Sequence, residues 1–241
     1  LLLLITLCNS FEKNKSTLRI FLIEINPTLR TITNNPLVSD YFSHNKELAL
    51  NEIIEDIQFA SHGQVTVDIV GHVVLDEFPK YKKQIKLLSG KSVYRLDEET
   101  YISISKSNYQ NDKGDWFKLY ESSLYKEIGD FNFDYEYLID KYSLDSRRKK
   151  DLFDHVSILG VDPLSTYETM MVGSNEFWIN GDPIKKDCKN FMIAGFSYSR
   201  RDSNLHRLSH SFEDLLNHAH TWTFFTTNEP KNDYNQENYD K

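Results

Sequence analysis

Residues 19–25 read RIFLIEI, a nearly continuous apolar run of the kind that forms a central strand of a parallel sheet. Residues 45–60 (NKELALNEIIEDIQFA) then have helical periodicity, with apolar side chains on one face and acidic side chains on the other. Residues 65–75 (VTVDIVGHVVL) predict a long strand with a bulge or bend at Gly71. Strand, helix and strand in this order predict a βαβ unit, and therefore a parallel sheet.

Two shorter apolar runs, 155–161 and 191–196, predict further buried strands. A helical pattern covers 134–151, ahead of the first of them. Between the βαβ unit and this helix lies a Lys- and Tyr-rich stretch, about 77–130, which we interpret as an insertion that carries short helices. The predicted fold class is α/β, with a largely parallel sheet flanked by helices and with this insertion.

The composition limits the class of protein. The chain has 241 residues, 39% of them hydrophobic and 13% aromatic, which is typical of a folded domain with a substantial core. A formal net charge of -8 argues against non-specific nucleic-acid binding, which needs a basic surface. We expect a single domain over residues 18–225, followed at 226–241 by a polar tail or a truncated continuation.

The first ten residues, LLLLITLCNS, predict the remnant of a signal peptide, followed by a polar tether at 11–17. The apolar run is too short to span a membrane, so we expect an exported protein without a transmembrane span. The alternative is a buried first strand. Cys8 ends the apolar run as the lipid-bearing Cys of a bacterial lipoprotein does, although Leu7 stands where a small residue is expected. If Cys8 is removed or lipidated, Cys188 cannot form an intrachain disulfide.

Polar residues follow the two short apolar runs. Asp162 and Glu168 come after the first run and Arg200 after the second, and loops beyond the carboxyl ends of parallel strands are where open α/β sheets place their sites. Glu168 has apolar neighbours, so it is a candidate catalytic acid or base, or alternatively the first residue of a helix. Arg200 and Arg201 either hold an anionic ligand or cap a neighbouring helix. Glu24, inside the first strand, either faces a sheet edge or lies in the same crevice as Glu168.

The last helical pattern places His206, His210, Glu213 and Asn217 at i, i+4, i+7 and i+11, on one helical face. A His pair at i and i+4 can bind one metal ion, such as zinc, which would make hydroxide available near neutral pH. The candidates for a third ligand are Glu168, Asp162 and His155. The alternatives are a solvated face or a metal-free polar site. Leucines on the opposite side, Leu205 among them, should face the core.

The segment FWING, residues 177–181, permits two interpretations. Trp178 and Asn180 can form a sugar-binding platform through stacking and an amide, or a core aromatic can precede an Asn-Gly turn.

Three parts of the chain resemble a family of exported, largely uncharacterised, mostly bacterial proteins. They are RIFLIEINPTL with the later ASHGQVTVDIVGHVVLDEFP, then YETMMVGSNEFWING, and finally NFMIAGFSYSR with LHRLSHSFE. The second is similar to a Glu-Ser-x-Met-Ala-Gly…Phe-Trp-x-Asn motif, and the third to a strand with a Glu-Arg step and a His-Ser-Phe-Gly-His-Arg-x-Glu helix.

The resemblance implies export and an α/β fold, and it adds weight to a site without naming a reaction. Six residues of this chain match the family's recurrent polar positions: Glu168, Asn180, Arg200, His206, His210 and Glu213. Three residues depart from the pattern: Ser199 replaces Glu, Ser209 replaces Gly and Ser211 replaces Arg. The family's further Cys-Gly-x-x-His and Asn segment would follow the end of this chain.

These observations lead to two functional hypotheses. The first is a hydrolase acting on an extracellular glycan or peptide, in which His206 and His210 hold a metal or polarise the substrate and Glu168 or Glu213 is the general base. The second is a cell-surface domain without catalysis, which either binds a carbohydrate through Trp178, Asn180 and the arginines, Arg200 among them, or has a structural role without a small-molecule site.

Overall fold

The computed structural model describes residues 16–87, 89–111, 133–161, 166, 169–198 and 201–218, with backbone only at 107–111 and 210–218. The helices are α1 (Val38–Tyr41), α2 (Lys46–Ala60), α3 (Glu98–Asn111), α4 (Tyr135–Lys141), α5 (Leu144–Lys149) and α6 (Arg201–His218). The strands are β1 (Ser16–Ile25), β2 (Val65–Leu75), β3 (Lys80–Lys86), β4 (Ser92–Arg95), β5 (His155–Gly160), β6 (Thr169–Gly173), β7 (Ile184–Lys185) and β8 (Phe191–Ser197).

The described strands build one main sheet in the order β2-β1-β5-β8-β6-β7. The first four of these strands are parallel to one another, whereas β6 runs antiparallel to β8. The predicted α/β class with a largely parallel sheet is therefore confirmed. We call the side of the sheet at which β2, β1, β5 and β8 end the carboxyl side, and the opposite one the amino side.

The predicted βαβ unit is present as β1, α2 and β2. Asn45 caps α2, because its side chain accepts a hydrogen bond of 3.0 Å from the backbone N–H of Leu48. The buried face of α2 carries Ala49, Ile53 and Ile57. This apolar stripe packs on one face of the sheet, so the helix crosses from the carboxyl end of β1 to the start of β2 as a parallel connection requires.

Both faces of the sheet are covered. The α2 face, named after its first helix, packs Ile20, Leu22 and Leu159 against α2, α3 and the buried Leu208 of α6. The opposite face, the α4 face, packs alternate strand residues, Ile23 among them, against α4 and α5. Burial on both faces explains why the parallel strands read as continuous apolar runs in the sequence.

Four details differ from the sequence prediction. The insertion contains the antiparallel pair β3–β4 in addition to the helix α3. The single helical stretch 134–151 is divided into α4 and α5 at Ser143, whose left-handed backbone (φ 49°) interrupts the helix. Strands β6 and β7 lie between the two predicted strands. Leu205, expected in the core, is 47% exposed, because α6 buries Asn204 and Leu208 instead.

No helix in the part of the chain that the structure describes is both long and apolar enough to cross a membrane. The signal-peptide remnant, the tether and the polar tail lie outside the described residues.

His155, at the start of β5, makes the stability of the fold depend on pH. The side chain is fully buried, and its Nε2 atom has no hydrogen-bond partner within the described ranges. Burial lowers the pKa of His155 to about 4. An unfolded chain binds this proton near pH ~6.5. The native state is therefore fully stable above that value, and it loses stability as the pH falls from there toward the folded-state pKa.

We expect the free energy of unfolding to fall by roughly 1.4 kcal/mol between about pH 7.5 and about pH 5.5 through His155 alone. Urea titrations of the wild-type protein and of His155→Leu at both pH values measure this contribution. The loss of stability should be smaller in His155→Leu by that amount. Equal losses in the two proteins would show that His155 titrates normally.

Candidate functional site

The carboxyl end of β1 is the topological switch point of the sheet. From β1 the chain crosses through α2 to β2 on one side, and it later returns to β5 on the other side. Open α/β sheets bind their ligands at such a point, because the flanking connections diverge there and leave a crevice. Tyr198 follows β8 on this side, and its backbone N–H donates to the carbonyl of Gly160 at 3.1 Å, so the ends of β5 and β8 lie together.

Glu24 is a buried carboxylate at this switch point. Only 5% of its side chain is exposed, and it projects onto the α2 face. Its Oε1 accepts a hydrogen bond from Asn26 Nδ2 at 2.8 Å and lies 3.5 Å from Lys46 Nζ, at the first residue of α2. Its Oε2 lies 3.0 Å from Nε2 of His72 on β2. The alternative of a Glu24 that faces a sheet edge is therefore wrong, since β1 lies inside the sheet.

The partners of Glu24 keep it ionised. Burial by itself raises the pKa of Glu24, but the hydrogen bond from Asn26, the neighbouring Tyr198 hydroxyl and the charge of Lys46 outweigh this effect, so that pKa lies below its usual value. The amino end of α2, where Lys46 lies, adds a dipole that favours negative charge. The site therefore holds a buried, negatively charged group near neutral pH.

Asn26 and Ser39 form the base of the site. Asn26 Oδ1 accepts from the backbone N–H of Ser39 at 3.0 Å, and its Nδ2 donates to Ser39 Oγ at 2.9 Å as well as to Glu24. Both residues are buried, and Ser39 lies on the short helix α1. Because each polar group has a partner, this network fixes the position of the carboxylate.

Tyr198 borders the same carboxylate, and His44 lies beside Tyr198. Burial and the charge of Glu24 both raise the pKa of Tyr198, so its phenol stays protonated. The hydroxyl lacks a hydrogen-bond partner of standard geometry in the described chain, although it lies close enough to Glu24 to influence its ionisation. The His44 ring lies 6.1 Å from the Tyr198 ring, centroid to centroid. A buried hydroxyl in this state is a group that a ligand can satisfy.

A β-bulge brings His72 to this site. Ile20 of β1 pairs with Ile69 of β2, but the next residue, Phe21, pairs with Gly71, so Val70 is the extra residue. Strict alternation from Ile69 would turn His72 to the α4 face, whereas the bulge turns it to the α2 face, toward Glu24. Gly71 is required at this place, because a Cβ there would lie 2.6 Å from the Phe21 ring.

The imidazole and its carboxylate differ strongly in exposure. The His72 side chain is 46% exposed, while that of Glu24 is 5% exposed. Glu24 thus holds the ring from inside the protein, and the rest of the ring faces solvent. The sequence contained one signal for this arrangement, the predicted bulge at Gly71, but the pairing of positions 24 and 72 requires the strand register.

The structure describes only some of the residues predicted for the site. Asp162, Glu168 and Arg200 lie outside the described residues, and of His210 and Glu213 only the place in α6 is described. The residues after Glu168, from Thr169 to Gly173, form the strand β6. His206 is exposed, on the side of α6 opposite the buried Asn204 and Leu208.

Two interactions position α6 at the carboxyl side. Asn204 Oδ1 accepts from the backbone N–H of Ser197, and Asn204 Nδ2 donates to the Ser197 carbonyl, both at 2.8 Å. Arg201 binds Asp56 of α2, with 2.7 Å between guanidinium and carboxylate. Arg201 thus contacts the neighbouring helix through an acidic side chain, and its binding of an anionic ligand stays a prediction.

Trp178 and Asn180 belong to the amino side of the sheet. Because β6 is antiparallel to β8, the chain leaves β6 where the parallel strands begin. Asn175 and Asn190, the residue before β8, hydrogen-bond each other there. Trp178 is 60% exposed, so the alternative of a core aromatic is wrong. Asn180 has φ 54°, the left-handed conformation of a turn. These two residues are thus separated from the switch point.

The described residues contain no group of three or more His, Cys, Asp or Glu side chains that could hold a metal ion. No protein-family model, curated protein or solved structure matches the chain. Membership of the exported family, like the metal site at His206 and His210, therefore stays a prediction.

The network below Glu24 can be tested by Asn26→Ala. This change leaves the N–H of Ser39 and one oxygen of Glu24 without their partner in a buried place, so we expect the free energy of unfolding to fall by roughly 2–4 kcal/mol. Chemical denaturation at neutral pH measures it. The control is Thr17→Ala on β1, which removes an exposed hydrogen bond to Thr66 of β2 and should cost less than about 0.5 kcal/mol. Similar losses for both variants would contradict the buried network.

Proposed function

We propose that this chain is an exported hydrolase that acts on an extracellular glycan or peptide, with its reaction centre at the carboxyl side of β1. The observation that carries the proposal is the pair of Glu24 and His72, a buried ionised carboxylate bound to an exposed imidazole at 3.0 Å. Carboxylate–imidazole pairs at the switch point of a parallel sheet are suited to proton transfer.

The access to this pair favours a large substrate. His72 lies on β2, at the outer position of the described sheet, and 46% of its side chain is exposed. A polymer chain can reach such a group without entering a deep cavity. In the sequence, Asp162 and Arg200 come shortly after β5 and β8, and Glu168 comes just before β6. In the proposed enzyme, His206 and His210 hold a metal or polarise the substrate.

A second candidate function, carbohydrate binding without catalysis, is favoured by Trp178. An exposed indole beside an amide in a turn is suited to stacking on a sugar ring. Since this surface lies on the amino side, it can act independently of Glu24.

The first experiment measures hydrolysis and metal content together. The full chain, purified without chelator, is assayed with dye-labelled polysaccharides, fluorescent casein and p-nitrophenyl esters, and its metal content is determined by elemental analysis. We expect hydrolysis in at least one class, near-stoichiometric zinc or another transition metal, and loss of that metal in His210→Ala, because removing one ligand of an i, i+4 pair disrupts its metal site.

The matched control is Ser209→Ala, a neighbour on the same helix, which should keep the metal. Hydrolysis by a metal-free protein would contradict the metal site and would support a hydrolase that works without a metal. A protein that cleaves none of the three classes is not a hydrolase of the proposed kind.

The binding function has its own test on a glycan array. If Trp178 stacks on a sugar, Trp178→Ala should reduce binding by roughly tenfold or more, because an aromatic anchor contributes on the order of 1–3 kcal/mol. Tyr94→Ala is the control, since Tyr94 is also exposed, at 50%, but lies on β4. Unchanged binding in Trp178→Ala would exclude this surface.

A further inference from the structure

The contacts around His72 determine which of its ring nitrogens can accept a proton. Glu24 is ionised, and an ionised carboxylate only accepts hydrogen bonds. The atom 3.0 Å from it, His72 Nε2, must therefore carry a hydrogen and donate it. In the neutral imidazole the other nitrogen, Nδ1, then has a free lone pair. Glu24 thus selects one tautomer and orients the ring.

The surroundings of Glu24 prevent it from taking the proton itself. Its Oε1 is bound by Asn26 and lies 3.5 Å from the Lys46 ammonium, while its Oε2 is bound by His72. A carboxylate held by three donors orients a base and fixes its tautomer, which is the positioning role that carboxylates have beside catalytic histidines.

We infer that His72 Nδ1 is the general base of the proposed hydrolase, that Glu24 is its positioning residue, and that the bond broken is an acyl ester carried by an extracellular glycan. This inference rests on the proposed function and deepens it. It assigns the base to His72 in place of Glu168 or Glu213, and it does not depend on a metal ion at His206 and His210.

The reaction step balances without a further reactant. His72 Nδ1 takes a proton from a water molecule while the water oxygen bonds to the ester carbonyl carbon, whose C=O electrons move to oxygen. The tetrahedral intermediate then collapses, the bond to the alcohol oxygen breaks, and the protonated Nδ1 returns its proton to that oxygen. The products are a carboxylic acid and the glycan hydroxyl.

The chemistry of the pair favours an ester over the two other bonds in polymers. Glycoside cleavage needs a protonated carboxylic acid that donates to the leaving oxygen, whereas Glu24 is bound by donors on both oxygens. A peptide bond is less reactive than an ester, because nitrogen donates more strongly into the carbonyl and an amine is a poorer leaving group. A single oriented imidazole is therefore best matched to an ester.

The experiment compares His72→Ala and Glu24→Gln with His62→Ala. His62 lies in the turn before β2, at the amino side of the sheet, and serves as the matched histidine control. The probes are p-nitrophenyl acetate and an O-acetylated polysaccharide, the latter read out as released acetate. We expect kcat/KM to fall about 100-fold or more in His72→Ala and roughly tenfold or more in Glu24→Gln, with little change in His62→Ala.

Two readouts separate a base from a merely structural residue. Added imidazole should restore activity to His72→Ala by roughly tenfold or more, because a free imidazole can occupy the vacated space, and it should not affect His62→Ala. Nitrogen NMR of His72 should show the proton on Nε2 in the wild type and a smaller share of that tautomer in Glu24→Gln.

The possible results are distinguishable. Ester cleavage that His72→Ala retains, or a wild-type His72 with its proton on Nδ1, overturns the assignment of the base and leaves the hydrolase standing. Cleavage of casein or of glycosidic bonds without ester cleavage contradicts the inference that the bond broken is an ester. A protein that cleaves no probe at all removes the proposed function and this inference with it.

Discussion

The parallel pairing of β1 with both β2 and β5 is the constraint on which the rest of the structure depends. It buries β1 on both faces, and it makes the strands on either side end at the same side of the sheet. Any polar residue near the end of β1 must therefore find its partners inside the protein. Glu24 finds them on α2 and β2, elements that come together only because the βαβ crossover returns beside β1. The geometry of the site is thus a consequence of the strand order.

The parts of the fold that the sequence predicts are those in which burial is continuous. β1, β5 and β8 read as apolar runs because both of their faces are covered, and α2 reads as a helix because its apolar stripe repeats at helical spacing. The pair β3–β4 escaped prediction because β3 (KYKKQIK) buries only Tyr81 and Ile85 among exposed lysines. Such a strand contributes two core residues, too few to outweigh its polar composition. Likewise, the two residues of β7 give no pattern to recognise.

The candidate site was less predictable than the fold, for a different reason. Sequence order indicates which residues follow a strand but not the direction in which that strand runs. Trp178 and Glu168 flank β6, and its antiparallel direction carries the chain to the amino side before Trp178 is reached. The role of His72 could not be predicted either, because the face of the sheet to which His72 points depends on a bulge of a single residue. The hydrogen bonds between Asn26 and Ser39, 13 positions apart, depend on a loop whose sequence has no periodicity.

The energetic cost of burying Glu24 indicates that this carboxylate is present for its effect on His72 and not for stability. Burying a carboxylate costs several kcal/mol, and partners that restore this loss rarely produce a net gain over a well-packed apolar residue. Val and Ile occupy comparable positions of these strands at lower cost, so stability alone gives no reason for a carboxylate. One of its oxygens is used by the internal donors, and the other is directed at an exposed ring on a strand that a bulge has turned toward it. The buried charge of Glu24 therefore acts on His72, whose tautomer and orientation it fixes.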